Sequence, residues 1–180
     1  MYELTSSYDF REIEPKLASV LEHADSQDFV VLDIDDTVLT YVPPGHSLVP
    51  LYPGMTALRY ANYNNLTVFY VTARVESRAN RDKTLKDLAD VGIYPHSGQL
   101  FMRPATVTTW AGIGIFKYQT RMRLESRTGG RCILSVGDQW TDLVAMPEAR
   151  IELMRRRFGT SSYMLYKDQS GRWSLKIPGK

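Results

Sequence analysis

Residues 31–37 read Val31-Leu32-Asp33-Ile34-Asp35-Asp36-Thr37 and overlap an apolar run from Phe29 to Ile34. A short run rich in Val and Ile predicts a strand that is buried on both faces. Side chains at positions i and i+2 of an extended chain point to the same side. We therefore expect Asp33 and Asp35 to converge at the end of this strand, where open α/β sheets place their ligands.

This acidic stretch has three interpretations. A bound cation would relieve the repulsion among its carboxylates, and oxygen ligands of this kind suit Mg²⁺. Aspartates at a strand end are also common as turn or helix-capping residues, which require no metal. An EF-hand calcium loop is excluded, because Val38 stands where the sharp turn needs glycine and Pro44 stands where the bidentate glutamate belongs.

Three later stretches place further polar residues after predicted elements. Thr72 ends the apolar run from Leu66 to Val71, and its hydroxyl could hold a phosphate oxygen, although threonine is common at strand ends. Lys117 lies at the start of a helix predicted from Ile115 and could neutralise phosphate charge, although an isolated lysine is ordinarily a solvated surface residue. The stretch Gly137-Asp138-Gln139-Trp140-Thr141-Asp142 follows the apolar run 132–136 and brings two carboxylates to the same edge.

Hydrophobic periodicity predicts strands that alternate with helices, which is typical of an α/β fold. We expect a three-layer, Rossmann-like parallel sheet with helices on both faces, followed by a C-terminal β-hairpin. The strands are predicted at 29–34, 66–71, 100–102 and 132–136, and the hairpin at 162–166 and 173–177. Helices are predicted at 14–25 with Pro15 in the first turn, at 55–64, 77–91 and 115–128, and from Pro147 onward, and a loop or flap at 38–54.

Length and composition predict one globular domain over residues 1–180. Its core would span roughly residues 28–145, with the N-terminal helix and the C-terminal helix and hairpin appended. The hydrophobic content of 43% excludes a disordered or collagen-like chain. The single cysteine, Cys132, lies in an apolar run and is interpreted as a buried hydrophobe. Neither a signal peptide nor a membrane-spanning segment is recognisable, so we expect a cytoplasmic protein.

Charge is unevenly distributed along the chain. Residues 1–100 hold 8 basic and 14 acidic side chains, whereas residues 101–180 hold 14 and 6. Such asymmetry can indicate contact with a polyanion such as a nucleic acid, and solvated helix faces produce it as well.

In their order along the chain, the four polar stretches resemble the motifs of the haloacid dehalogenase-like superfamily of phosphohydrolases. The resemblance covers roughly residues 28–145 and is closest to the acid phosphatase branch. This branch includes bacterial class B and lipoprotein acid phosphatases and plant vegetative storage proteins. Ala73 departs from the glycine that many relatives have. The closer similarity rests on Val71-Thr72-Ala73-Arg74, Arg103-Pro104, Phe116-Lys117 with Arg121, and Gly137-Asp138-Gln139-Trp140-Thr141-Asp142-Leu143.

The resemblance implies a Mg²⁺-dependent phosphomonoester hydrolase that acts through an aspartyl-phosphate. Asp33 would be the nucleophile. Asp35 would serve first as general acid and then as general base, and its backbone carbonyl would contact the metal. The implied metal residues are Asp33, Asp35, Asp138 and Asp142, and the implied phosphate-binding residues are Thr72 and Lys117.

Substrate choice in this superfamily usually depends on an inserted cap domain. Only 39 positions separate Asp33 from Thr72, and 45 separate Thr72 from Lys117. Predicted core elements occupy most of these positions, so we expect a capless enzyme with an open cleft. The flap residues Tyr41, His46 and Tyr52 could contact the leaving group, or they are ordinary loop residues.

An open cleft leaves several functions possible. The first is hydrolysis of small phosphomonoesters such as nucleoside monophosphates, with a neighbouring subunit of a homo-oligomer closing part of the cleft. The second is a phosphatase of nucleic-acid ends or phosphoproteins, which the basic C-terminal part would favour electrostatically. The third is a noncatalytic binding or storage module. No membrane contact is expected.

Overall fold

The computed structural model describes residues 3–42, 47–143, 156 and 161–179. Among them, strands and helices alternate along most of the chain, as the sequence pattern predicts. The strands are β1 (Leu4–Ser7), β2 (Phe29–Leu32), β3 (Leu39–Val42), β4 (Ser47–Pro50), β5 (Thr67–Val75), β6 (Leu100–Arg103), β7 (Cys132–Gly137), β8 (Tyr163–Lys167) and β9 (Trp173–Lys176). The α-helices are α1 (Phe10–Glu22), α2 (Tyr52–Tyr63), α3 (Arg78–Ala89), α4 (Trp110–Thr128) and α5 (Trp140–Leu143).

Seven of these strands form one central sheet in the order β1-β8-β9-β7-β2-β5-β6. The five strands from β9 to β6 run parallel, and β8 is antiparallel to both of its neighbours. The α/β prediction and the predicted C-terminal hairpin are therefore confirmed. The hairpin is part of the central sheet, because β9 pairs directly with β7.

The central strand β2 explains how the sheet is buried on both sides. All four of its residues are buried. Val30 and Leu32 pack in the large apolar cluster on the side of α1 and α2, whereas Phe29 and Val31 pack on the opposite side, where α4 lies. A strand covered on both faces has no polar side to show, which is why its sequence is a continuous apolar run.

The segment 38–54, predicted as a loop or flap, contains the antiparallel strand pair β3–β4 and the start of α2. Strand β3 pairs with β4 from Leu39 opposite Pro50 to Val42 opposite Ser47. Leu39 is fully buried and anchors the hairpin, whose outer residues Tyr41 and Val42 are exposed. The proline-rich sequence suggested a loop, but the β-branched and aromatic residues around it favour strands.

Two helices, α1 and α4, begin four and five residues earlier than the sequence pattern predicts. Asp9 caps α1, so Pro15 lies inside that helix rather than in its first turn. Thr109 caps α4 by accepting a hydrogen bond from the Gly112 N–H, so Lys117 lies in the third turn and not at the helix start. In both cases the capping side chain fixes the boundary, which apolar spacing alone does not reveal.

The elements between the site motifs belong to the core. Between Asp33 and Thr72 the described chain forms the β3–β4 hairpin, α2 and most of β5, and between Thr72 and Lys117 it forms α3, β6 and the start of α4. The described residues in these intervals contain no folded cap domain. The helix predicted from Pro147 lies outside the described residues.

Candidate active site

The three parallel strands at the centre of the sheet deliver polar residues to one edge. Asp33 follows β2 directly, and its backbone N–H donates to the Val136 carbonyl of β7 at 2.9 Å. Asp138 follows β7, and Thr72 lies in β5 where its pairing with β6 becomes irregular. Asp33, Thr72 and Asp138 are all buried, and carboxylate oxygens of Asp33 and Asp138 lie within 4.8 Å of each other.

Lys117 connects two of the predicted carboxylates. Its ammonium donates to Asp33 Oδ1 at 2.6 Å and to Asp142 Oδ1 at 2.7 Å, and all three side chains are less than a tenth exposed. Burial alone would lower the pKa of Lys117, but the Asp142 and Asp33 carboxylates raise it above its ordinary value. Lys117 is therefore a charged residue inside the site and not a solvated surface lysine.

Three buried carboxylates form a cluster that fits a metal ion. Asp33, Asp138 and Asp142 each offer one oxygen, and these oxygens lie within 4.8 Å of one another. Burial, and then repulsion from Asp142, raise the pKa of Asp138 to about 6. Burial also raises the pKa of Asp33 above its ordinary value, against the opposing effect of Lys117. A cluster with only carboxylate oxygens and excess negative charge matches the ligand preference of a hard divalent cation.

Local backbone contacts hold Asp142 in this cluster. Its Oδ2 accepts a hydrogen bond from the Gln139 N–H at 2.9 Å, and its carbonyl accepts one from Arg121 Nη1 at 2.6 Å. A Cβ added at Gly137 would overlap the Asp142 side chain. Glycine at position 137 is therefore required for the carboxylate to pack against the end of β7.

Asp35 occupies a different position from the other acidic residues. Its carboxylate receives two hydrogen bonds from the Arg74 guanidinium, from Nε to Oδ2 at 2.9 Å and from Nη2 to Oδ1 at 2.7 Å. Arg74 is itself held by Asp87 Oδ2 at 2.6 Å and by Thr84 Oγ1 at 3.2 Å. The Asp35 side chain does not belong to the three-carboxylate cluster, and contact between its backbone carbonyl and a metal stays a prediction.

Thr72 and the flap residues, which complete the predicted site, make separate contacts. Thr72 is fully buried, and its hydroxyl accepts a hydrogen bond from the Arg74 N–H at 3.1 Å. Tyr41 of the flap lies beside Lys83, whose pKa is raised by Asp87 first and by Tyr41 to a smaller extent. Tyr52 instead donates its hydroxyl to Glu14 at 2.8 Å. His46 lies outside the described residues.

Sequence reasoning did not predict the contacts that three residues of the quoted motifs make in the site. Arg74 and Arg121 were quoted as part of a motif, but their partners Asp35 and the Asp142 carbonyl follow only from the fold. Thr37 donates to Asp33 Oδ2 at 3.4 Å, and nothing in its position predicted that contact. The one available indication for Arg74 was a basic residue two positions after Thr72.

Residues 41–168 match the family model of the acid phosphatases of haloacid dehalogenase subfamily IIIB. The chain belongs to this family. The matched range includes Thr72, Lys117, Asp138 and Asp142 and begins after Asp33 and Asp35. Family membership makes this acid phosphatase a phosphoric monoester hydrolase. No match was found among curated proteins.

No helix in the described part of the chain is both long enough and apolar enough to cross a membrane.

Proposed function

We propose that this acid phosphatase hydrolyses small phosphomonoesters with Mg²⁺ held by Asp33, Asp138 and Asp142. The observation that supports this proposal is the buried cluster in which these carboxylates lie within 4.8 Å of one another beside Lys117. When bound, Mg²⁺ would screen the negative charge of the nucleophile and the phosphate. The resemblance supports Mg²⁺ over other divalent cations.

In this proposal Asp33 attacks phosphorus and forms an aspartyl-phosphate. Lys117 donates to Asp33 in the substrate-free arrangement and can redirect one of its three N–H donors to an incoming phosphoryl oxygen. Thr72 supplies a hydroxyl from the neighbouring strand end. Together these groups place positive charge and donors where negative charge develops in the transition state.

Asp35 is proposed as the proton donor to the leaving group and as the base for the hydrolytic water. Its side chain is 43% exposed, unlike the buried Asp33, so a leaving group in the open cleft could reach it. The two hydrogen bonds from Arg74 fix the orientation of its carboxylate. Arg74 is therefore a positioning residue for proton transfer.

The cleft favours a small substrate. The described chain has no inserted cap. The β3–β4 hairpin brings the exposed Tyr41 beside Lys83 of α3. Lys83 pairs with Asp87, which also binds Arg74, the partner of Asp35. An aromatic ring and an ammonium on this side of the cleft suit a leaving group with an aromatic base and polar substituents. Nucleoside monophosphates are therefore the proposed substrates.

The basic C-terminal part gives less support to a nucleic-acid substrate than its charge count indicates. Arg121 is buried against the Asp142 carbonyl, Arg131 pairs with Asp28, and Arg172 pairs with Glu125. Arg121 is therefore bound inside the protein, and Arg131 and Arg172 are each paired with a carboxylate. Binding to an oligonucleotide that falls steeply with added salt would nevertheless favour the nucleic-acid alternative.

The test is hydrolysis of p-nitrophenyl phosphate and adenosine monophosphate with Mg²⁺, with chelator, and by Asp33→Asn. We expect hydrolysis that needs the metal and falls at least a thousandfold in the variant. Asp82→Asn is the matched control, because Asp82 is an exposed aspartate on α3. Full activity of Asp33→Asn would contradict the role of Asp33, and no turnover of the wild type with any divalent metal would favour the noncatalytic alternative.

A further inference from the structure

A cavity beside α4 is lined by residues other than the carboxylate cluster. Its volume is about 460 Å³, which is within the range of small-molecule sites. Phe101 of β6 and Phe116 and Leu124 of α4 contribute apolar surface to it, and Glu76 and Arg81 close it from the side of α3. None of the proposed catalytic or metal residues lines this cavity, which we call the α4 groove.

The α4 groove arises from the way the sheet is covered. Within the described residues, α4 is the main cover for the apolar side chains of β7, β2, β5 and β6 on one face. Four strands are roughly 19 Å wide, at about 4.8 Å each, whereas a helix with its side chains is about 10 Å wide. Phe101 and Phe116 are consequently only partly buried at the β6 edge.

The rim of the groove carries unbalanced positive charge. Arg81 is neutralised by Glu76 at 2.5 Å. Arg123 and Arg127 lie one turn apart on α4, and neither pairs with a carboxylate in the described part of the chain. Arg123 donates to the Gln119 carbonyl of its own helix, and the Arg127 guanidinium lies 5.8 Å from the centre of the Phe101 ring. Within the described residues, two guanidiniums without a paired carboxylate therefore line this groove, and one of them, Arg127, lies near the Phe101 ring.

This combination selects for a particular ligand chemistry. Guanidinium groups bind phosphate oxygens through paired N–H donors, and their planes also stack on aromatic rings. Phenylalanine rings provide a stacking surface for a base. We propose that the α4 groove is a second binding site, for a nucleoside monophosphate whose phosphate contacts Arg123 and Arg127 and whose base packs against Phe101 and Phe116.

Charge sets the orientation of the ligand. Glu76 and Arg81 neutralise each other on the α3 side of the groove, so that side offers no net positive charge to a phosphate. The phosphate is therefore directed toward α4, where Arg123 and Arg127 stand, and the base toward β6. Phe116 directly precedes Lys117, so the bound base would touch the turn of α4 that carries the catalytic-site lysine.

The experiment is photolabelling of the full chain with 8-azidoadenosine monophosphate in chelator, followed by peptide mass spectrometry. We expect saturable label on residues 100–102 or on Phe116. The double variant Arg123→Gln/Arg127→Gln should lower this label at least fivefold, because it removes both guanidiniums. The label should likewise fall at least fivefold with 8-azidoadenosine, which lacks the phosphate.

Arg59→Gln is the matched control, because Arg59 is an exposed arginine of α2, on the opposite face of the sheet. It should label like the wild type, and the double variant should hydrolyse p-nitrophenyl phosphate at the wild-type rate. Label found only at the carboxylate edge, or equal label in the double variant, would overturn the proposal. A wild type without hydrolysis would count against the proposed function alone, because labelling is read without turnover.

Discussion

At the scale of single residues, the pair formed by Arg74 and Asp35 is the contact on which proton transfer would depend. A planar guanidinium can hold both oxygens of a carboxylate, whereas an ammonium holds them less specifically. Asp87 and Thr84 of α3 each accept a hydrogen bond from Arg74 Nη1. Helix α3 therefore fixes the guanidinium and, through it, the Asp35 carboxylate. An exposed carboxylate would otherwise rotate freely.

We therefore predict that Arg74→Lys lowers kcat for p-nitrophenyl phosphate about 10–100-fold, because small misplacements of a catalytic group have effects of that order. Steady-state kinetics with a full pH profile would measure the loss. Arg81→Lys is the control, since Arg81 forms a similar two-point contact with Glu76 outside the carboxylate cluster. An unchanged kcat and pH profile in Arg74→Lys would contradict the positioning role.

Gly137 makes a second prediction at this scale. The Gly137→Ala change places a methyl group in the space of the Asp142 side chain, so the carboxylate must move away from Asp33 and Asp138. Overpacking of this kind destabilises proteins by about 1–3 kcal/mol. We expect the Mg²⁺ concentration for half-maximal activity to rise at least tenfold.

Magnesium titrations of hydrolysis, with circular dichroism to verify folding, would measure this effect. Gly98→Ala is the matched control, because a Cβ at Gly98 meets no atom within 4 Å and its backbone has no positive φ. A similar magnesium requirement in both variants would show that Asp142 does not depend on the close approach at Gly137.

At the scale of elements, the sequence was most informative where a single physical cause fixes the structure. The apolar runs that became β2, β5 and β7 could be located because burial on both faces leaves no other pattern. β1 was not predicted, since Leu4-Thr5-Ser6-Ser7 has little apolar content and is ordered by pairing with β8. β1 and β8 are about 160 positions apart in the chain, so the sequence around β1 contains no pattern that indicates their pairing.

The candidate site, like the fold, was only partly predictable from the sequence. The motifs predicted that Asp33, Asp35, Asp138 and Asp142 would meet at one edge of the sheet. The structure brings Asp33, Asp138 and Asp142 together beside Lys117, whereas the Asp35 carboxylate binds Arg74. The sequence did not predict the Arg74–Asp35 pair or the contact of Arg121 with the Asp142 carbonyl. Those contacts depend on the side-chain direction and on helix start positions, and the start of α4 was misplaced by five residues.

The C-terminal hairpin is joined to α4 by a charged contact that yields a third prediction. Arg172 donates to both oxygens of Glu125 at 2.7 and 2.5 Å, and the Cys132 N–H donates to Glu125 Oε1 at 2.9 Å. Burial raises the pKa of Glu125, but these hydrogen bonds lower it further, so the net shift is downward. The folded state therefore binds this proton more weakly than the unfolded state.

A carboxylate with a lowered folded-state pKa stabilises the protein above its unfolded pKa, about 4.3 for glutamate, and the stabilisation disappears as the pH falls through the folded value. We expect Glu125→Gln to lower the free energy of unfolding by about 1–3 kcal/mol at pH 7, because hydrogen bonds to charged groups are of that size. The difference should shrink below about pH 4. Urea unfolding between pH 3 and 7 would measure it, and a pH-independent difference would contradict the ionic contact.

At the scale of the whole molecule, the carboxylate cluster links the metal to folding. Asp33 follows β2, Asp138 follows β7 and Asp142 lies in α5, so their oxygens meet only when the central sheet is assembled. Along the chain, Asp33 lies more than a hundred positions from Asp138 and Asp142. A cation that binds the assembled cluster must therefore stabilise the folded protein as a unit.

Cys132 provides a probe of that coupling. It is 1% exposed at the start of β7, between β2 and β9, and burial raises the pKa of its thiol to about 11. Because the thiolate is the reactive form, alkylation at pH 7.5 should require global unfolding. Its rate then follows the unfolded population when refolding is faster than alkylation.

We predict that Mg²⁺ at ten times its dissociation constant slows alkylation of Cys132 about elevenfold, since a ligand of the folded state lowers the unfolded population by the factor 1 + [L]/Kd. Iodoacetamide labelling followed by mass spectrometry would give the rates with and without Mg²⁺ at equal ionic strength. In Asp138→Asn, which lacks one carboxylate of the cluster, the ratio of the two rates should approach one. Asp82→Asn should retain the wild-type ratio. Equal slowing in Asp138→Asn would place the ion elsewhere, and a thiol that reacts within seconds without denaturant would show that β7 opens without unfolding of the sheet.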